Sequence, residues 1–289
     1  MKGYAKAFGA VSIVNAIAAG RGSALGIDLY TEASVEITNK TQDIILKSEN
    51  NIGDSSLTRE VFRIIAERIG LADVGALIRT SSNIPVAVGL KSSSSSAVAI
   101  ACAVLDAARA RMQDEELLSL IAEASLRSGT SITGAMDDAA ACMLGGLVIT
   151  DNIGRKLLKR VEIHDRLYAV IHIPEQQRIF TRDFRKELLY PVKRLVEEAF
   201  RLALEDRYWD AMTLNGLLHA AALSIPVAPA LAALRAGALG AGLSGTGPAT
   251  AAICTTDKLD AVREAMEEYG GMVIVAQVSN KRAIIGGGF

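Results

Sequence analysis

The sequence predicts a mixed α+β protein built as two domains. Three observations carry that expectation. Short runs of β-forming residues alternate with segments of helical period along all 289 residues. A polar, glycine-containing stretch over residues 151–159 interrupts them midway. Half of the residues are hydrophobic against 22% charged, which is enough apolar surface for two ordinary cores. The domains are expected at residues 1–155 and 156–289.

Taken in order, residues 2–26 read as a strand, a tight turn at Gly20-Arg21-Gly22 and the beginning of a second strand. Lys2 and Lys6 ahead of apolar residues 7–19 have the outline of a secretory signal, but Ser12 and Asn15 break the apolar run, so the segment is read as part of the fold. Residues 29–37 and 43–47 read as strands. Leu57, Val61, Ile64, Ile65 and Ile69 recur at helical spacing, and Gly70 closes that helix. A strand over 76–82 leads into a serine-rich loop and an apolar helix. A further helix starts at Asp114 as its N-cap and runs toward Gly129, and a short one ends at Gly145-Gly146. The second half reads strand (147–150), strand (168–173), helix (184–203), helix (209–222), short helix (229–235), strand (250–254), helix (259–269) and strand (272–278), with 283–285 a last short strand.

The chain is organised around Pro85-Val86-Ala87-Val88-Gly89-Leu90-Lys91-Ser92-Ser93-Ser94-Ser95-Ser96, which runs directly into the apolar segment 97–105. The serines therefore form the first turn of a buried helix, where amide N–H groups are unpaired and the helix dipole is positive. With Lys91 and the hydroxyls beside them, this is an anion site, and a phosphate chain is the expected anion. A serine linker would be flanked by polar residues instead. The loop is not a Walker A loop, because Leu90 separates Gly89 from Lys91.

Pro-x-x-x-Gly-Leu-x-Ser-Ser resembles the central motif of the GHMP kinases, and the longer Gly-Leu-Lys-Ser-Ser-Ser-Ser-Ser-Ala resembles their archaeal-type shikimate kinase branch. Two other stretches occur in the same order. Residues 2–26 resemble the first motif, in which an asparagine, here Asn15, and a glycine-rich turn precede a hydrophobic strand. Ala10 stands where other members carry a basic residue, so no cation is expected from that position. Gly242-Leu243-Ser244-Gly245-Thr246-Gly247-Pro248 resembles the third motif, a loop whose glycines allow close approach to phosphate or substrate. The resemblance implies a two-domain GHMP kinase fold. Its N-terminal domain would be ribosomal-protein-S5-domain-2-like with a left-handed βαβ unit, and its C-terminal domain ferredoxin-like.

The same resemblance assigns roles. ATP phosphates would lie against residues 85–96 and against Gly245, Thr246 and Gly247. Gly134-Ala135-Met136-Asp137 resembles a motif whose aspartate sits beside the acceptor hydroxyl, so Asp137 is the candidate base, kept ionised by a helix N-terminus. Capping is the alternative use for Asp137, and more so for Asp138. Mg²⁺ would be held by a serine hydroxyl, Ser94, and by Glu123, which otherwise is a solvated helix residue. Asn15, Ser244 and Arg185 would contact substrate. A guanidinium suits a carboxylate, with Arg178 and Arg182 as neighbours, although Arg185 also reads as an exposed helix arginine.

The activity so implied is transfer of phosphate from ATP to the 3-hydroxyl of shikimate. Homoserine and pantoate are alternative acceptors, and a non-catalytic nucleotide sensor of the same fold is an alternative class. A net charge of −1 gives no basic field for nucleic acid, and no run of eighteen clean apolar residues calls for a membrane span. Cys102, Cys142 and Cys254 lie in apolar surroundings without metal-ligand spacing, as reduced thiols of a cytoplasmic protein do. A homo-oligomer is compatible with the sequence.

Overall fold

In the computed structural model, residues 1–48, 55–175 and 184–287 are described. Strand β1 (Lys2–Val14) and strand β2 (Arg21–Thr38) form one long antiparallel hairpin, with register shifts at Phe8/Gly9 and between Ser12 and Val14. At 18 residues, β2 is long enough to serve two partners along its far edge. Its second half pairs with β4 (Gly75–Ser82), and its first half pairs with β5 (Leu147–Asp151). Strand β3 (Ile44–Ser48) lies parallel to β4, so β3, helix α1 (Ser55–Arg68) and β4 make a βαβ unit. A hairpin adds β6 (Lys156–Val161) to β5, and β11 (Ile284–Ile285) returns from the far end of the chain to pair with β1. Among the described residues the sheet has seven strands.

One face of this sheet carries α1, α2 (Ser92–Ala108), α3 (Asp114–Arg127) and α4 (Met136–Leu144), packed on Ala5, Ala7, Ala10, Ala33 and Val35. Helix α2 is apolar all round and buried from Ser94 to Leu105, as a helix enclosed on every side must be. Its alanines let it lie close to β1. A Cβ on Gly3 would meet the Ala103 carbonyl oxygen at 2.2 Å, so that position has room only for glycine.

The opposite face explains the burial pattern of β2, which is continuous over its first half and alternating over its second. Val11, Ile13, Leu25 and Ile27 there meet Val196 and Phe200 of α5 (Lys193–Leu204) and Met212 of α6 (Tyr208–Ala222). They also meet a second sheet of β7 (Leu167–Ile173), β8 (Gly240–Leu243), β9 (Thr250–Thr255) and β10 (Met272–Gln277), ordered β10-β7-β9-β8 and antiparallel throughout. On β7, Leu167, Ala169 and Ile171 point into this shared core. Val170 points the other way, toward α7 (Ala228–Arg235) and α8 (Leu259–Glu267). Fourth-first-third-second order with helical crossovers is the ferredoxin-like arrangement.

Three expectations need correction. The helix expected over 184–203 is a 3₁₀ turn over Lys186–Val192 followed by α5, because Pro191 has no N–H to donate within a helix. Asp114 is the first residue of α3 rather than its cap, and its carboxylate instead accepts from Arg282 Nη2 at 2.7 Å. The polar stretch near 151–159 is a hairpin, so the first sheet continues past residue 155 through β6. Lys156, Lys159 and Arg160 give that edge strand its loop-like composition.

Candidate active site

The loop before α2 passes through the left-handed region at Ala87, Gly89 and Lys91 before the helix begins at Ser92. Only glycine fits at 89, since a Cβ there would lie 2.0 Å from the Ser244 carbonyl oxygen. No side chain caps the helix, and its first backbone bond is from Ser95 N to Lys91 O, at 2.9 Å. The N–H groups of Ser92, Ser93 and Ser94 therefore have no helical acceptor.

The expected phosphate-binding block divides. Ala87, Gly89, Lys91, Ser92, Ser93 and Ser94 line a cavity of about 130 Å³. Pro85 and Val86 are not among its lining residues. Val88 and Leu90 are buried in the shared core. Ser95 donates to the Ala7 carbonyl at 3.3 Å, and Ser96 is buried, so both belong to the packing of α2.

Across the cavity, Gly245 and Thr246 supply the glycine loop, and Gly247 lies just outside. A buried seam joins this loop to the other two motifs. Ser244 Oγ accepts from Ser12 N–H at 3.1 Å and donates to the Gly89 carbonyl at 2.8 Å. Ser12 Oγ accepts from Gly245 N–H at 3.0 Å and from Lys91 Nζ at 2.8 Å. Asn15 lines the cavity, but its amide donates to the Gly245 carbonyl at 2.8 Å and accepts from Ile17 N–H at 2.9 Å. Ser244, expected at the substrate, is fully buried, is not among the residues lining the cavity, and both donates and accepts within this seam.

Asp137 stands on the first turn of α4, which follows left-handed residues at Gly134 and Ala135. Its Oδ1 accepts from Asn152 Nδ2 at 2.8 Å. Its Oδ2 fills the space beside Gly22, where a Cβ would stand only 2.3 Å away. Burial pushes the Asp137 carboxyl up to about 7, and the neighbouring Asp138 charge adds to that. Lys91, the Asn152 hydrogen bond and the Asp138 N–H pull the other way. Desolvation thus works against the ionisation expected from the helix N-terminus. Asp138 does not cap α4 either. Its Oδ1 lies 2.9 Å from Lys91 Nζ, an ion pair whose approach is off the angle of a hydrogen bond. Lys91 is itself nearly buried, with 7% of its side chain exposed. Ala10 is buried under α2, so the cation missing from β1 reaches the aspartates from the serine loop.

Two expected ligands are not brought to the cavity. Glu123 is held by Arg127 and, at 3.3 Å, by Arg155, and it does not line the cavity. Arg185 is exposed at the start of the 3₁₀ turn, also off the lining, while Arg178 and Arg182 lie outside the described residues. The structure adds Ser12, Gly22, Asn152 and the hydroxyls of Thr130, Ser131 and Thr133, the last three lining the cavity. Ser12 was visible as the one serine in an apolar strand, and the three loop residues as a hydroxyl-rich run between Gly129 and Gly134. Asn152 carried no such signal.

A helix N-terminus, a glycine loop, a nearly buried lysine and a carboxyl raised by burial surround one cavity, an arrangement suited to holding phosphate beside a proton acceptor. Residues 56–146 match the GHMP kinases N-terminal domain, and residues 210–271 match the GHMP kinases C-terminal domain. The chain is 43% identical to a shikimate kinase of Methanothrix thermoacetophila, over 99% of this chain and 97% of that one. It is 40% identical to one of Methanocella arvoryzae, at the same coverage. The homoserine kinase of Cytophaga hutchinsonii shares the fold, with a TM-score of 0.75 at 21% identity, over 98% and 97% of the two chains. This chain belongs to the GHMP kinases.

Proposed function

We propose that the chain transfers the γ-phosphoryl group of ATP to the 3-hydroxyl of shikimate, giving ADP and shikimate 3-phosphate, a step toward chorismate. The observation that carries the chemistry is the Asp137 carboxylate, pushed up to about 7 and lining the same cavity as the unpaired amides of Ser92, Ser93 and Ser94. The choice of shikimate follows the name borne by the relatives. A carboxyl with a pKa near neutrality is matched to the work of a general base at neutral pH.

In this reading the phosphates lie against Gly89, Lys91 and Ser92 to Ser94, with Gly245 and Thr246 across from them. Amides and the helix dipole hold negative charge there without reorganising. The acceptor hydroxyl gives its proton to Asp137 as its oxygen bonds to phosphorus, and the bond from phosphorus to the ADP oxygen breaks. Lys91, tied to Ser12 and Asp138, places positive charge between phosphate and base.

For Mg²⁺, the donor set fits a nucleotide-borne ion. Ser94 lines the cavity, and a serine hydroxyl is a hard oxygen that suits Mg²⁺ together with phosphate oxygens. Glu123 does not fit, its carboxylate being held by arginines. No group of three or more His, Cys, Asp or Glu that could hold a metal occurs among the described residues. When bound, the ion would neutralise charge developing on the transferred group.

The test is ADP release from ATP with shikimate, homoserine and pantoate offered in turn. Turnover with shikimate and at most trace turnover with the others is expected. Turnover with another acceptor reassigns the substrate, and tight ATP binding without any turnover makes the protein a sensor.

A further inference from the structure

Behind Asp137 lies a second layer of polar groups that nothing in the motifs announces. Asn152 stands just beyond the end of β5, buried. Its Nδ2 is 2.8 Å from Asp137 Oδ1 and 3.3 Å from the Thr133 hydroxyl, which lines the cavity. Its Oδ1 accepts from Thr150 Oγ1 at 2.7 Å, and Thr150 is fully buried. The charged carboxylate, which only accepts, sets the NH₂ end toward Asp137, since a flipped amide would put two oxygens against each other. The Thr150 hydroxyl, whose other acceptor is the Gly22 carbonyl at 3.5 Å, supports that orientation by donating to the oxygen end.

We propose that Asn152, oriented by Thr150, is a positioning residue that holds Asp137 in its proton-accepting rotamer and favours its charged form. It rests on the reading of Asp137 as the base. Among the described residues, the Asp137 carboxylate is otherwise held by shape, over Gly22, and by its own helix turn through the Asp138 N–H. A hydrogen bond donated to a carboxylate stabilises the anion, while burial opposes it. The charged or titratable groups around Asp137 among the described residues are Asp138 on its own helix, Lys91 at the start of α2, and the buried Cys142 one turn on. Only Lys91 is a cation, and it is already engaged by Ser12 and Asp138. Among the described residues, Asn152 is therefore the one neutral side-chain donor on the base. Through Thr133 it also ties the base to the cavity-lining loop on which an acceptor would rest.

The experiment follows the Asp137 carboxyl directly, by carbon-13 NMR of aspartate-labelled protein, its signal assigned by loss in Asp137→Asn. Titrations of the wild type, Asn152→Ala, Thr150→Val and Thr150→Ser are compared with the pH dependence of kcat for the same proteins. In Asn152→Ala the midpoint is expected to rise by about one pH unit, with kcat at neutral pH falling roughly tenfold and KM for ATP unchanged. Thr150→Val should move the midpoint the same way by less, and Thr150→Ser, which keeps the hydroxyl, should restore it. An unmoved midpoint in folded Asn152→Ala overturns the proposal. Should Asn152→Ala not fold, equal midpoints in Thr150→Val and Thr150→Ser overturn it instead. If the wild type turns over no acceptor, the base assignment fails, while the carboxyl titration still reports whether Asn152 tunes Asp137.

Discussion

Gly22 and Asp137 share one small volume: a Cβ built on Gly22 would lie 2.3 Å from Asp137 Oδ2 and 3.0 Å from the Ala16 Cβ. Gly22 is not at positive φ, so what the site needs from it is space rather than backbone freedom. The Gly22→Ala variant must push the carboxylate off its place. Overpacking of this kind costs about 1–3 kcal/mol. Misplacement of the base should lower kcat by roughly tenfold or more. Chemical denaturation and ADP release measure the two effects, and wild-type kcat in this variant would show that the carboxylate position is unimportant.

Replacing Asp137 itself separates activity from stability. Asp137→Asn should reduce turnover by roughly 10²–10⁴-fold, the range for a lost acid–base group. At neutral and alkaline pH its effect on stability runs opposite to its effect on activity. The folded-state value of about 7 lies above the ordinary 3.8, so between those values the folded protein binds more protons than the unfolded one. Asp137 thus costs stability progressively as pH rises through that window. Above it, Asp137→Asn should be more stable than wild type by roughly 1–4 kcal/mol, and near pH 4 the two should converge. Urea midpoints across the range measure the difference, and a variant less stable at pH 8 than wild type would contradict it.

Lys91→Met leaves a stem of similar length without the charge. Asp138 then keeps a largely buried carboxylate with no cation beside it, and Asp137 loses the charge that holds its pKa down. A rise in the Asp137 midpoint, a lower Tm and a KM for ATP raised roughly tenfold or more are expected together. An unchanged ATP affinity would confine Lys91 to the aspartates.

Ser244→Ala removes the hydroxyl that joins Ser12 to Gly89, and leaves one buried N–H and one carbonyl unpaired. The expected loss is about 1–3 kcal/mol of stability. Substrate KM at permissive temperature should change less than twofold. A large rise in that KM with intact stability would restore Ser244 to the substrate site.

How far the sequence reached can be judged from these residues. The serine loop was legible because hydroxyls directly before an apolar segment have few uses other than a helix start. The order of the three motifs then made the fold legible as well. What escaped was wherever a polar group ends up across the chain. Ser244 donates to a carbonyl 155 positions away, and Arg155 reaches Glu123 from 32 positions away. No local pattern reports either partner. The desolvation of Asp137 escaped for the same reason. The helix N-terminus that should ionise it is a local feature, whereas its desolvation comes from β2, the serine loop and the strand end at Asn152, far apart in sequence. Strand β6 was hidden by its own lysines and arginine, which make an edge strand resemble a loop.

The most direct measurement is a crystal structure of the protein with shikimate and a non-hydrolysable ATP analogue. Phosphates on the amides of Ser92, Ser93 and Ser94 beneath Gly245, with the 3-hydroxyl of shikimate within hydrogen-bond distance of Asp137, are expected. A nucleotide seated elsewhere, or shikimate turned so that another group meets Asp137, would contradict the assignment of this cavity as the site of phosphoryl transfer.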